Sequence, residues 1–261
     1  MTARRCIFCD VELTGENRAK EHVVPQWLLE HLEIGEEELF QGVALSENSE
    51  VMNHRTIATR SMVEGRVCEP CYGGWMCGLE NEAKSLLIAL LDGTRTVHAL
   101  TNAERSTVST WATKTAYVLS YPTPLNDPIN PAHLRHLRDH RTVPVGTGVF
   151  AQQHKPTGKF SYLQKNTWPH FSEARPGEES ARVTSDAGYK IALQFAVLML
   201  LVTYWPPDRS TYALVSGVHV PLWPMENFYL CYYGGGEVPT PYDSRSLLER
   251  FNSSLAICHR I

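Results

Sequence analysis

"CEPCYGGWMCGLENEA", residues 68–83, opens with two cysteines separated by two residues and runs directly into a helix-forming stretch. Near the start of the chain "CIFCD", residues 6–10, repeats the same Cys-x2-Cys spacing. Each pair presents two thiolates from one tight turn, and two such pairs supply the four ligands that tetrahedral zinc prefers. The spacing therefore predicts one structural Zn2+ held by Cys6, Cys9, Cys68 and Cys71, with the ion closing the loop between the pairs. Four thiolates leave no open position for substrate, so such an ion holds structure. Cys77 lies beyond the second pair on the predicted helix, and Cys231 and Cys258 stand in apolar surroundings expected of small buried side chains.

Working outward, apolar residues after Cys71 recur at Trp75, Leu79, Ala83, Leu86, Leu87, Leu90 and Leu91, the spacing of a helix buried on one face, and end at Asp92-Gly93. Upstream, "RAKEHVVPQWLL" (residues 18–29) sets Glu21 beside His22. Val23-Val24 reads as a strand end, Pro25 suits a first helical turn, Trp27, Leu28 and Leu32 continue at helical spacing, and Gly35 closes the helix. A polar, irregular insertion follows, in which Val43 to Leu45 and Thr56 to Thr59 are expected as short strands. Residues 1–92 thus form a cysteine-anchored module.

Residues 93–261 read as an α+β region, with helices over about 102–141 and mostly strands thereafter. Thr101 and Glu104 make a capping-box pattern before "RSTVSTWATKTAYVLSY". After a proline-rich break, "PAHLRHLRDHR" resumes as a short helix whose polar side carries Arg135, Arg138, His133, His136 and His140. "TGVFAQQHKPTGKFSYLQKN", residues 147–166, is a hairpin pattern turning at Lys155 to Gly158. The most apolar run, Ile191 to Trp205, contains Gln194 and Thr203 and is shorter than the roughly 18 residues that span a bilayer, so it reads as a buried strand or helix. Tyr212 to Val220 and Phe228 to Tyr233 complete an expected antiparallel sheet over the helices.

Composition bounds the function. With 43% hydrophobic and 20% charged residues, the chain has apolar material for one large core or two modest ones. A net charge of −4 denies a global preference for phosphates and confines any such affinity to a local patch. The first 92 residues carry 8 Lys and Arg against 16 Asp and Glu, which leaves the basic balance to the remainder. "MTARRCIFCD" has no apolar segment of a secretion signal, and a cytoplasmic protein with reduced thiols and no membrane association is expected.

With the knuckles placed, the order Cys6-x2-Cys9, Glu21-His22-Val-Val-Pro25, Cys68-x2-Cys71 and helix resembles the zinc-stapled HNH endonucleases of the ββα-metal group found in bacteria and phages. "EHVVPQWLL" and "CEPCYGGWMCGLENEA" carry the likeness, which covers roughly residues 6–92; "WATKTAYVL" and "VHVPLWP" are similar to the C-terminal extension of one subfamily. The resemblance implies hydrolysis of DNA phosphodiesters, with His22 as general base and Glu21 as a ligand of a catalytic Mg2+ or Mn2+. Where such relatives carry Asn or His after the second knuckle, this chain has Tyr72, a poor ligand for a hard cation; Glu80 and Asn81 are the alternative oxygen donors, and Asn48 and Asn53 the candidates for the middle Asn. Arg135, Arg138 and Arg141 are candidate phosphate contacts, a solvated helix face being the competing reading. The alternative function is a zinc-stabilised module that binds nucleic acid or protein and has lost hydrolysis.

Overall fold

The structure, a computed structural model, describes residues 4–19, 21–36, 38–45, 51–58, 63–121, 129–154, 158–165, 168–172, 182–185, 188–204, 211–216, 219–223, 230–233 and 255–259. Among the described residues, four α-helices and three sheets make an α+β architecture: α1 (Gln26–His31), α2 (Cys77–Leu91), α3 (Asn102–Ser120) and α4 (Pro131–His140). The smallest sheet pairs β1 (Glu21–His22) with β4 (Val63–Glu64). A seven-stranded sheet has the order β12 (Val220–Trp223), β5 (Thr147–Gln153), β10 (Leu198–Tyr204), β9 (Tyr189–Phe195), β6 (Phe160–Lys165), β2 (Leu39–Leu45) and β3 (Val51–Ala58). A five-stranded sheet runs β13 (Leu230–Tyr233), β11 (Thr211–Ser216), β14 (Leu255–His259), β7 (Trp168–Ser172) and β8 (Arg182–Ser185). No described helix is long and apolar enough to cross a membrane.

The seven-stranded sheet corrects the expected hairpin at residues 147–166. β5 and β6 do not pair with each other; the β9–β10 hairpin inserts between them, antiparallel to both. Burial decides the order. Ile191, Leu193, Leu198, Leu200 and Val202 are all fully buried, and strands this apolar belong in the middle of a sheet covered on both faces. Ala196, at φ 44°, makes the tight reversal between the two strands. The expected all-antiparallel pairing is also revised, because β2 runs parallel to β6 and the five-stranded sheet contains the parallel pairs β11–β13 and β14–β7. Through β2 the N-terminal insertion joins the larger sheet, and one buried cluster runs from Phe8 and Cys68 through Trp111 to Leu200 and Leu222.

α3 is the centre of the molecule. From Val108 to Ser120 every residue is buried, and the helix packs on α2, α4 and strands β5, β9, β10 and β12. Three of its buried hydroxyls turn back on its own backbone: Thr110 Oγ1 donates to the Ser106 carbonyl, Thr113 Oγ1 to Ser109 and Ser120 Oγ to Tyr117, at 2.7–2.8 Å. Such back-bonding lets a polar-looking sequence occupy the core. The helix starts as the sequence predicts, with Thr101 accepting from the Glu104 N–H and Glu104 accepting from the Thr101 N–H. Arg95 grips the same carboxylate with two bonds of 2.5 and 2.6 Å, which holds the Glu104 carboxyl at about 2, below its ordinary range.

α4 departs from expectation at one residue. His133 lies with Leu134 and Leu137 on the buried face, its ring 4.3 Å from that of Tyr204, so only His136 and His140 remain with the arginines. The 133, 134, 137 positions share one helical stripe, and the core side of that stripe takes the histidine. Burial lowers the His133 pKa to about 4, with the neighbouring His136 adding to the shift.

Two outcomes follow. Thr101→Ala should lower unfolding stability by about 1 kcal/mol in denaturant titration, the usual cost of a lost N-cap. Because His133 stays neutral when folded but takes a proton near pH 6.5 when unfolded, stability should fall as pH drops from 6.5 toward 4, and His133→Phe should flatten that part of the pH–stability curve.

Candidate metal centre and functional site

The two knuckles are built by backbone hydrogen bonds. In the first, Asp10 N–H donates to the Cys6 carbonyl at 2.9 Å while Asp10 takes φ 62°, a left-handed conformation that Asp tolerates better than most residues. In the second, the Cys71 and Tyr72 N–H groups donate to the Cys68 carbonyl at 3.0 Å, starting the helical turn Pro70–Met76, which kinks at Gly74 and leads into α2. Ile7 N–H donates to the Arg66 carbonyl and Ala19 N–H to Val67, which straps one knuckle to the other.

All four predicted sulfurs come together: Cys6, Cys9, Cys68 and Cys71 lie with their Sγ atoms within 4.8 Å of one another. Cys9 and Cys68 Sγ are 3.5 Å apart, far beyond the roughly 2.05 Å of a disulfide. A tetrahedron with zinc–sulfur bonds of about 2.3 Å has edges of about 3.8 Å, so the cluster is compatible with zinc. The Cys71 thiol hydrogen-bonds to Cys6 and draws its pKa down, while Cys71 itself is pushed up by that bond and by burial, and Cys68 is pushed up mainly by burial. Four thiolates at this spacing repel one another unless a cation sits among them. Cys77 is exposed and stands outside the cluster.

Phe8, fully buried within the first knuckle, meets the Trp75 ring edge-to-face at 5.1 Å. Trp75 carries the Arg141 guanidinium 4.7 Å from its ring centroid, so an aromatic–cation stack ties the knuckles to the end of α4. Met76 is buried beneath the same turn.

His22 sits in β1, antiparallel to β4 in the register His22 with Val63, a short stretch before the second knuckle. The ring is half-buried, and its Nε2 lies 3.2 Å from Gln26 Nε2 across the start of α1. An amide N–H facing that nitrogen makes it the acceptor and leaves the ring proton on Nδ1. α1 in turn is fixed to the end of α2 by His31 and Asp92 at 2.9 Å. The Glu21 side chain lies outside those described, as do Asn48 and the side chain of Asn53.

The helix-borne oxygen donors are used otherwise. Glu80 Oε1 accepts from Lys114 Nζ at 2.6 Å, an ion pair between α2 and a lysine that is fully buried on α3. Asn81 is exposed, with its amide 3.7 Å from Cys77 Sγ. Tyr72 is half-buried and packs against the core cluster. Among the described residues, the sulfur cluster is the one grouping of three or more metal-ligating side chains. The described residues do not assemble a hard-cation site.

On α4, Arg135 is exposed, Arg138 bonds to Asp139 at 2.6 Å, and Arg141 ends the helix in a left-handed conformation at φ 55°. His136 and His140 stack with centroids 4.7 Å apart. A cavity of about 380 Å³ opens between the Pro70–Met76 turn, α2, the start of α3 and Arg141. Sequence reading missed this cavity, since its walls come from residues 75 to 141 and no local pattern marks them.

Compared with family models, curated proteins and solved structures, the chain matches none.

The buried ion pair gives a direct check. Glu80→Gln leaves Lys114 charged and buried without its carboxylate, and should cost about 3–5 kcal/mol in chemical denaturation. Exchanging both residues together, Glu80→Leu with Lys114→Met, should recover most of that loss.

Proposed function

We propose that this chain is a zinc-stapled HNH-type endonuclease that hydrolyses DNA phosphodiester bonds in the cytoplasm. The carrying observation is the convergence of Cys6, Cys9, Cys68 and Cys71, which sets the antiparallel β1–β4 pair, with Glu21-His22 on one strand, just ahead of α2. Strand, strand and helix in that order, with an acidic residue and a histidine on the first strand, is the arrangement that the sequence resemblance implies. One Zn2+ on the four thiolates supplies the closure of the loop, and its role is structural.

In this reading His22 Nε2 takes the proton from the attacking water once Gln26 yields its hydrogen bond. Glu21 is the proposed ligand of the divalent ion, Mg2+ or Mn2+, that the family chemistry requires. Arg135 and Arg138, on the exposed side of α4, are the proposed backbone contacts of the DNA, each able to neutralise phosphate charge.

A second reading is favoured by the engagement of Glu80 with Lys114 and by Tyr72 after the second knuckle: the frame binds nucleic acid or protein without cutting it. Purified protein should contain one zinc per chain by elemental analysis, and Cys68→Ser should lose both the metal and the cooperative unfolding transition. Incubated with plasmid and single-stranded DNA in Mg2+ or Mn2+, the protein should cut, and His22→Ala should reduce cutting by about 100-fold or more, the contribution expected of a general base. Salt-dependent DNA binding without cutting, unchanged in His22→Ala, selects the second reading.

A further inference from the structure

Arg141 and Glu82 line the same cavity of about 380 Å³ yet form no ion pair with each other, and among the described residues neither pairs with any other charged side chain. Trp75, beneath the Arg141 guanidinium, gives the cavity an aromatic wall, and Ser106, Thr107 and Thr110 add hydroxyls from α3. Thr107 and Thr110 spend their protons on the Ala103 and Ser106 carbonyls, which leaves their oxygens as acceptors. Arg141 also occupies a left-handed backbone position at a helix end, where glycine is the comfortable residue. The chain keeps a cation there at the cost of backbone strain.

We propose that this cavity binds a guanine base. The volume falls in the range of small-ligand sites, about 300–1,000 Å³. Trp75 holds the Arg141 guanidinium against its face, which leaves the in-plane donors of the arginine to meet the edge of a planar base. Among the four bases guanine alone offers two adjacent acceptors, O6 and N7, for the donor fork of an arginine, together with N1–H and N2–H donors on the neighbouring edge for a carboxylate. Arg141, at the end of α4, spends Nη1 on the Arg138 carbonyl and keeps its Nε–Nη2 edge as that fork, and Glu82 reaches the cavity from α2 with that carboxylate. The site is independent of His22, so it stands whether or not the chain cuts DNA.

Isothermal titration of the full, zinc-containing protein with guanosine, GMP, AMP, CMP and UMP tests the assignment. Guanosine and GMP should bind with similar affinity and at least about fivefold more tightly than the other three nucleotides, the lower end of the discrimination expected of one bidentate base contact. Glu82→Gln, at an exposed position, should erase the preference for guanine. Arg141→Gly should keep the fold, read by circular dichroism and thermal unfolding, because glycine suits the left-handed position, and should lose binding. Equal affinity for all four nucleotides with no binding of guanosine would mean that Arg141 takes phosphate and would overturn the proposal. So would the absence of saturable binding at millimolar nucleotide, or binding untouched by both variants. A failure of DNA cleavage in the His22 assay leaves these outcomes unaffected, which separates the two readings.

Discussion

Four sulfur atoms from opposite ends of a long excursion share one small volume, with Cys9 and Cys68 separated by 59 positions in sequence and 3.5 Å in space. Closing a loop of that length is entropically unfavourable, and the cost grows only slowly as the loop lengthens, so the excursion is free to be long once something holds its ends. The strapping bonds from Ile7 to Arg66 and from Ala19 to Val67 run beside the cluster and depend on the same closure. β1 and β4 have two residues each, too few to stay paired unaided. Their pairing, and with it the position of His22, rests on the sulfur cluster.

The excursion is put to use. Instead of remaining a surface loop, its strands β2 and β3 extend the large sheet beyond β6, so the knuckles and the sheet share a core. α3 binds the assembly from within. It turns several of its hydroxyls onto its own backbone, ties to α2 through Lys114 and Glu80, and meets the sheet through Trp111 against Phe195 and the Tyr117–Tyr189 hydroxyl pair at 2.5 Å. A carboxylate on the next helix helps to make a buried lysine tolerable in such a place.

Local patterns in the sequence were read correctly wherever one short stretch carries the signal. The cysteine spacing located the sulfur cluster, the Thr101–Glu104 pair located the start of α3, and the 75–91 periodicity located α2. Readings that depend on partners far along the chain went astray. β5 and β6 look like a hairpin because a good turn sequence joins them, but strand order is decided by which strands are apolar on both faces, and β9 and β10 take the middle. His133 looks like one of a polar trio until Tyr189 and Tyr204, more than 50 residues away, enclose it. Glu80 looks like a free oxygen donor because its partner, Lys114, sits on another helix amid residues that read as an ordinary amphipathic pattern. The Trp75–Arg141 stack is invisible for the same reason.

The insertion of β9 and β10 between β5 and β6 also orders events in time. A chain made from its N-terminus presents β5 and β6 well before residues 189–204 exist, so the edges that face β10 and β9 have nothing native to pair with. Most of the sheet's contacts join segments far apart in sequence, a topology that forms slowly and leaves strand edges open meanwhile. Nascent chains halted before Tyr189 therefore carry unsatisfied edges, and the last apolar hairpin acts as the keystone whose arrival ends that vulnerable interval.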